Sequence, residues 1–236
     1  MSIDPRALQA SLDSLSARPS ASGEPGDLLH QVVLSANGIF TVTGTGLMII
    51  DEGQVLRYVA ASDAAGRALE LGQEQAGEGP CVDAFVYGTV VTTEDLRADS
   101  RYLRLRPLLA EAPVVAVLGV PVRLMGTAVA TLNAYVDRPR GWLPDEIQAL
   151  ESFAEVVEQV LATTLALHRS SALAGQLQHA LDYRVMIERA VGFLMARESL
   201  DAVRAFELLR AAARSSRRPV VEVASSLLRG DAEPPS

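Results

Sequence analysis

Between Asp137 and Trp142, in the stretch DRPRGW, the chain changes its hydrophobic period. Upstream, short apolar runs alternate with Gly-, Asn- and Asp-rich turn chemistry. Downstream, apolar residues recur every three to four positions almost to the end. A strand pattern does not settle as a helix, nor the reverse, so this switch predicts an α+β part followed by an all-α part. With 236 residues, 49% of them hydrophobic, the chain has enough apolar material for a core in each.

The upstream part begins with a segment, residues 1–25, expected to be mobile: a short helix over PRALQASLDSLSA and then the linker-like RPSASGEPGD. From Asp27, a suitable N-cap, DLLHQVVLSANGIF places Leu28, Leu29, Val32 and Val33 on one side of a helix. TGTGLMIIDEGQVLRYVAAS reads as a hairpin, Leu47–Ile50 against Val55–Ala60, turned at Asp51, Glu52 and Gly53. Three more runs, around Val90, Val117 and Val129, fit strands, the last two joined by a tight turn at Met125 and Gly126. The Gly-rich ELGQEQAGEG is expected to be a loop and Cys81 to Tyr87 a short helix. TGTG at 43–46 lacks the lysine and following helix of a phosphate loop, so it reads as a strand entry.

Downstream, Pro144 with Asp145 and Glu146 starts a helix. Two apolar rows run along it: Ile147, Leu150, Ala154, Val157 and Leu161, beside Phe153, Val156, Val160 and Leu167. One row can cover a sheet and the other a partner helix. The pattern continues through Leu173, Leu177 and Leu181, predicting one long helix kinked near Gly175 that links the two parts. A trio of helices follows. The first buries Ile187, Ala190, Val191 and Leu194 and ends near Ser199; the second starts at Asp201 and buries Ala202, Ala205, Leu209 and Ala212; the third opens at Pro219, buries Val220, Val223, Ala224 and Leu227, and stops at Gly230. The small residues Ala190, Gly192, Ala205 and Ala212 suit close helix packing, and Phe193 and Phe206 are expected in the core.

Charge divides along the same boundary. Up to residue 175 the chain has 12 arginines against 21 acidic residues, a net of −9; residues 176–230 have nine against six, a net of +3. Seven arginines fall within 188–218. Arg210, Arg214, Arg217 and Arg218 crowd the end of the trio's second helix, and Arg197 closes the first; such a basic patch attracts polyanions.

Other chemistry is sparse. Three histidines, His30, His168 and His179, show no metal-ligand spacing, and the single cysteine, Cys81, makes no internal disulfide, so no metal is expected and the cofactor is unknown. Cys81 reads first as a small apolar residue. Neither a secretory signal nor a membrane span is visible, which gives a cytoplasmic expectation with no membrane partner. No enzyme is visible in the sequence.

RVMIERAVGFLMARESLDAVRAFELLRAAARSSRRPVVEVASSLL resembles the ANTAR domain, a three-helix RNA-binding module of bacterial antiterminators. GEGPCVDAFVYGTVVTTEDLR and VLGVPVRLMGTAVATLNAYVDRPRGW resemble the GAF domain, a small antiparallel sheet with flanking helices that commonly senses a signal. GAF followed by ANTAR is a familiar actinobacterial arrangement. The resemblance implies an α+β GAF-like domain over 26–168, joined by the long helix to a small all-α ANTAR-like bundle over 169–230, with a tail at 231–236. It further implies a regulator that binds paired RNA stem-loops in nascent transcripts and favours read-through. The double apolar row on residues 147–167 and the positive C-terminal module add the expectation of a homodimer through the long helix, and the basic patch that of Arg197, Arg210, Arg214, Arg217 and Arg218 as RNA contacts. Val191 stands where the family often has lysine, so no RNA contact is transferred to that position. Cys81, Phe85 and Tyr87 are the expected lining of a small-molecule pocket in the GAF-like domain. The alternatives are a DNA-binding helix-turn-helix regulator, against which the long RSSRRP turn argues, and a non-catalytic protein-interaction module.

Overall fold

A computed structural model of the chain describes residues 3–17, 25–40, 42–51, 55–167, 172–216, 218 and 220–230. Its helices and strands run α1 Pro5–Ser16, α2 Pro25–Ile39, β1 Gly44–Ile50, β2 Leu56–Ala61, α3 Ala64–Ala76, α4 Pro80–Tyr87, β3 Val91–Thr93, α5 Leu105–Leu108, β4 Ala116–Leu124, β5 Thr127–Val136, α6 Pro144–Leu167, α7 Ala172–Glu198, α8 Ala202–Ser216 and α9 Val220–Arg229. They form two compact units: residues 1–49 with 56–174, and residues 50–55 with 175–236.

The first unit is built on a five-stranded sheet of order β2-β1-β5-β4-β3. β5 pairs antiparallel with both β1 and β4, and β3 pairs antiparallel with β4. The β4–β5 turn is the one expected: Met125 (φ 50°) and Gly126 (φ 82°) both occupy the left-handed region that a two-residue hairpin turn requires. Alternation along β1 shows that both sheet faces are covered. The Thr45 hydroxyl donates to the Val33 carbonyl of α2 on one face, while Gly44 and Gly46 abut Tyr135 and Glu70 on the other. α2 and α6 pack together, and α6 lies on β4 and β5; α3 packs on β2, and α4 on β4 and β5. The strands accordingly carry nearly continuous apolar runs, as sheets buried on both faces do.

One expectation needs correction in this unit. ELGQEQAGEG is not a loop up to Gly77: residues to Ala76 belong to α3, whose Leu69, Glu70 and Gln73 are buried. Asp63 caps the start, its carboxylate accepting from the Gly66 N–H at 2.7 Å, and Gly77 ends the helix at φ 62°. The second apolar row of α6 meets partner helices, as expected: Phe153, Val156 and Val160 are buried, and α1 and α2 both pack on α6. α1, in the segment expected to be mobile, buries Leu15 there. The long helix expected to kink near Gly175 is described as α6 and α7, with Gly175 the fourth residue of α7; residues 168–171, where the two would join, lie outside the described residues.

In the second unit the core comprises Ile187, Ala190 and Leu194 of α7, Ala205, Leu209 and Ala213 of α8, and Val223, Ala224 and Leu227 of α9. Ser199 (φ 55°) ends α7, the Asp201 carboxylate caps α8 through the Arg204 N–H at 2.8 Å, and Gly230 (φ 75°) stops α9. The expected Pro219 start of α9 lies outside the described residues. The face of α8 is rotated slightly from expectation: Ala202 is exposed and Ala213 buried, with Ala212 only partly so. Phe206 packs against the core, but Phe193 is 40% exposed, and Gly192 is exposed with no atom within 4 Å of where a Cβ would stand. Those two residues do not serve the packing expected of them.

Candidate ligand site and nucleic-acid interface

Helical periodicity on α3 puts Glu70 and Gln73 on one face, one turn apart, and strand alternation on β5 puts Asn133 opposite them. Asn133 Nδ2 donates to Glu70 Oε1 at 2.9 Å; Gln73 Nε2 donates to Glu70 Oε2 at 3.2 Å and to Cys81 Sγ at 2.7 Å. The Cys81 N–H, in the first turn of α4, donates back to Gln73 Oε1 at 2.9 Å. All four side chains are buried. Two glycines make room for them. A Cβ at Gly46 would stand 2.2 Å from Glu70 Oε1, and one at Gly79, whose φ is 146°, 2.3 Å from Gln73 Oε1.

Burial dominates the chemistry of this cluster. It raises the Glu70 carboxyl to about 8, although hydrogen bonds from Asn133 and Gln73 oppose the shift, so the group is mostly protonated at neutral pH. Burial, with the Glu70 carboxyl adding to it, pushes the Cys81 thiol well up, the reverse of what a nucleophilic or redox-active thiolate needs. Asn133 Oδ1 and Thr131 Oγ1 are buried without a hydrogen-bond partner in the same sheet.

Of the expected pocket residues, Cys81 joins this cluster, Phe85 is buried in α4, and Tyr87 is half-buried at the helix end. A cavity of about 530 Å³ lies elsewhere, between β4 and α6, with Val120, Val122 and Ala154 among its walls and Arg123, Glu151 and Glu155 among its polar groups. Sequence reasoning missed Glu70, Gln73 and Asn133. Their available signals were the polar pair three apart in ELGQ and one amide within an otherwise apolar strand.

The five candidate RNA contacts fall at three places in the sequence of the unit: the end of α7, α8, and the turn after α8. Arg210, half-buried, and Arg214 sit one turn apart on α8; the Arg214 side chain and all of Arg217 lie outside the described residues. Arg218 is engaged by the bundle itself. Its N–H donates to the Ala213 carbonyl at 3.0 Å, and its guanidinium reaches Glu222 at 3.3 Å and Ser226 Oγ at 3.0 Å, tying the turn after α8 to α9. Arg197 is separate, exposed in the last turn of α7, with its guanidinium 5.9 Å from the Phe193 ring centroid and 3.3 Å from Glu198. Among the described residues no group of three His, Cys, Asp or Glu is placed to hold a metal ion. No helix among them is long and apolar enough to cross a membrane.

A sheet covered on both faces by helices and a compact helical unit define a two-part protein of an α+β and an all-α domain. The chain belongs to the GAF domain family, whose model matches residues 24–161, and it also contains an ANTAR domain, matched over 175–228. ANTAR domains are of the RNA-binding antitermination type, so the chain joins a signal-sensing domain to an RNA-binding one. Among solved structures it is similar to the GAF domain of an Acinetobacter phosphoenolpyruvate-protein phosphotransferase (18% identity, 69% of this chain and 94% of that one, TM-score 0.57). It is also similar to the GAF domain of the corresponding Coxiella burnetii protein (18%, 68% and 94%, TM-score 0.56). A third is the free methionine-R-sulfoxide reductase of Neisseria meningitidis in complex with its substrate (14%, 68% and 92%, TM-score 0.52). At these identities the likeness concerns the fold. No curated protein matches the chain at a significant level.

Proposed function

We propose that this chain is a cytoplasmic, non-catalytic regulator whose GAF domain takes a small-molecule signal and whose ANTAR domain binds paired stem-loops in nascent transcripts, favouring read-through. The observation that carries the reading is the ANTAR match over 175–228, falling on a compact helical unit whose sequence is net positive between 176 and 230. Two paired loops call for two modules, hence a homodimer. The proposal contains no thiol chemistry, because the one cysteine is buried and its thiol held protonated.

Gel-shift titration of the full chain with tandem stem-loop RNA, over a range of salt, tests the reading. Binding should fall steeply with salt as phosphate counterions are released, and R214E should weaken it. Duplex DNA should not compete. Preference for duplex DNA, or the absence of any nucleic-acid binding, refutes the proposal.

A further inference from the structure

Phe193 is out of place for a helix that has a core to fill. On α7, Ile187, Ala190 and Leu194 enter the bundle, whereas the Phe193 ring points away from it and is 40% exposed. Arg189 and Arg197 lie four residues before and after it, so the three side chains form one stripe. Both arginines are exposed. Arg197 stands by the ring, as described above, and its own neighbour Glu198 is exposed with it. Arg189 makes no ion pair among the described residues, and Glu188 beside it is turned to Arg184 at 3.2 Å. Gly192 beside it is exposed and adds no side chain to this face.

We infer that Phe193 is a stacking platform for one unpaired base of an RNA loop, with Arg189 and Arg197 holding the phosphates on either side of that nucleotide. This inference rests on the RNA-binding reading of the ANTAR domain and adds to it a place and a chemistry. Single-stranded loops are recognised by stacking exposed bases on aromatic rings, and guanidinium groups flank such platforms to neutralise the backbone. Each arginine is displaced from Phe193 by about 6 Å along the helix axis, a reach that suits one nucleotide. Charge decides against a second copy of this helix as the occupant. In a symmetric pairing centred on Phe193, guanidinium groups would meet guanidinium groups, whether the helices ran parallel or antiparallel. An RNA loop brings the opposite charge.

The test uses the full chain and a pool of RNA hairpins with a short randomised loop, from which the wild type selects a binder. Affinities are then measured by fluorescence anisotropy for the wild type, F193L, F193W, R189Q and V185S, with the selected hairpin and with versions carrying an abasic residue at each loop position in turn. Val185, 48% exposed two turns before Phe193, is the control for an apolar helix seam, which would use both residues. F193L should bind about tenfold more weakly, while F193W and V185S stay within about twofold of the wild type. One abasic position should weaken the wild type by the same factor and F193L not at all, and R189Q should lower the salt slope by about one. If F193L binds like the wild type, or no abasic position is blunted by it, the platform is refuted while RNA binding stands. A wild type that selects no hairpin overturns both readings. Loss of a dimer in F193L and V185S alike, seen by light scattering, makes the face a helix seam and refutes the platform.

Discussion

Replacing Glu70 with glutamine should remove most of the pH dependence of the first unit's stability above pH 5. Folding raises this carboxyl from its ordinary value of 4.5 to about 8, chiefly by burial. Below pH 4.5 both the folded and the unfolded chain are protonated here, and the group contributes no pH dependence. Between 4.5 and 8 the folded form holds one proton that the unfolded form has released, so stability falls as pH rises, by about 1.4 kcal/mol per pH unit; above 8 it levels off. From pH 5 to 7.5 the wild type should therefore lose about 3 kcal/mol through this group. E70Q is nearly isosteric and has no proton to release. The carboxylates pulled below their usual range, Asp99 to about 2 by Arg101 and Asp95 by Arg97, titrate below this window, and the difference between the two proteins cancels what they share. Trp142 is the only tryptophan, so its fluorescence during urea unfolding reports on the first unit. The expected outcome is a wild-type stability that slopes downward from pH 5 to 7.5 and an E70Q stability about 3 kcal/mol flatter. Parallel curves would show that Glu70 is ionised inside the sheet and that the account of the cluster is wrong.

Other outcomes follow from the same contacts. G46A should destabilise the first unit by about 1–3 kcal/mol in the same urea assay, because the new methyl group meets Glu70 Oε1 at 2.2 Å in a packed layer. Cys81 should resist iodoacetamide in the native protein and react once denatured, as mass spectrometry would show; native labelling at the rate of a free thiol would contradict its burial. R218Q should lower the melting temperature of the second unit as well as any RNA affinity, since Arg218 braces α8 to α9. R189Q, whose side chain braces nothing among the described residues, should leave that melting temperature unchanged.

The period switch at Asp137 to Trp142 and the turn residues at Met125, Gly126, Ser199 and Gly230 made the architecture legible, because each records a purely local constraint. α3 escaped because ELGQEQAGEG has its buried face built from Glu70, Gly72 and Gln73, which a search for apolar stripes discards. The same fact hid the polar cluster. Glu70 is interior only because Gly46 on β1 and Asn133 on β5, strands adjacent in the sheet, receive it, and that meeting is tertiary.

The arginines show the converse limit. Counting them located the basic unit, but only the fold separates those that serve it from those it leaves to solvent. Arg218 is spent on Glu222 and Ser226, Arg210 is half-buried, and Arg197 stands beside a phenylalanine that periodicity alone would have sent to the core. Phe193 lies only one position before the buried Leu194, yet a helix turns about 100° per residue. That single step carries its ring from the packed stripe to the face bearing Arg189 and Arg197, where it stands exposed between two cations that an anionic partner would neutralise.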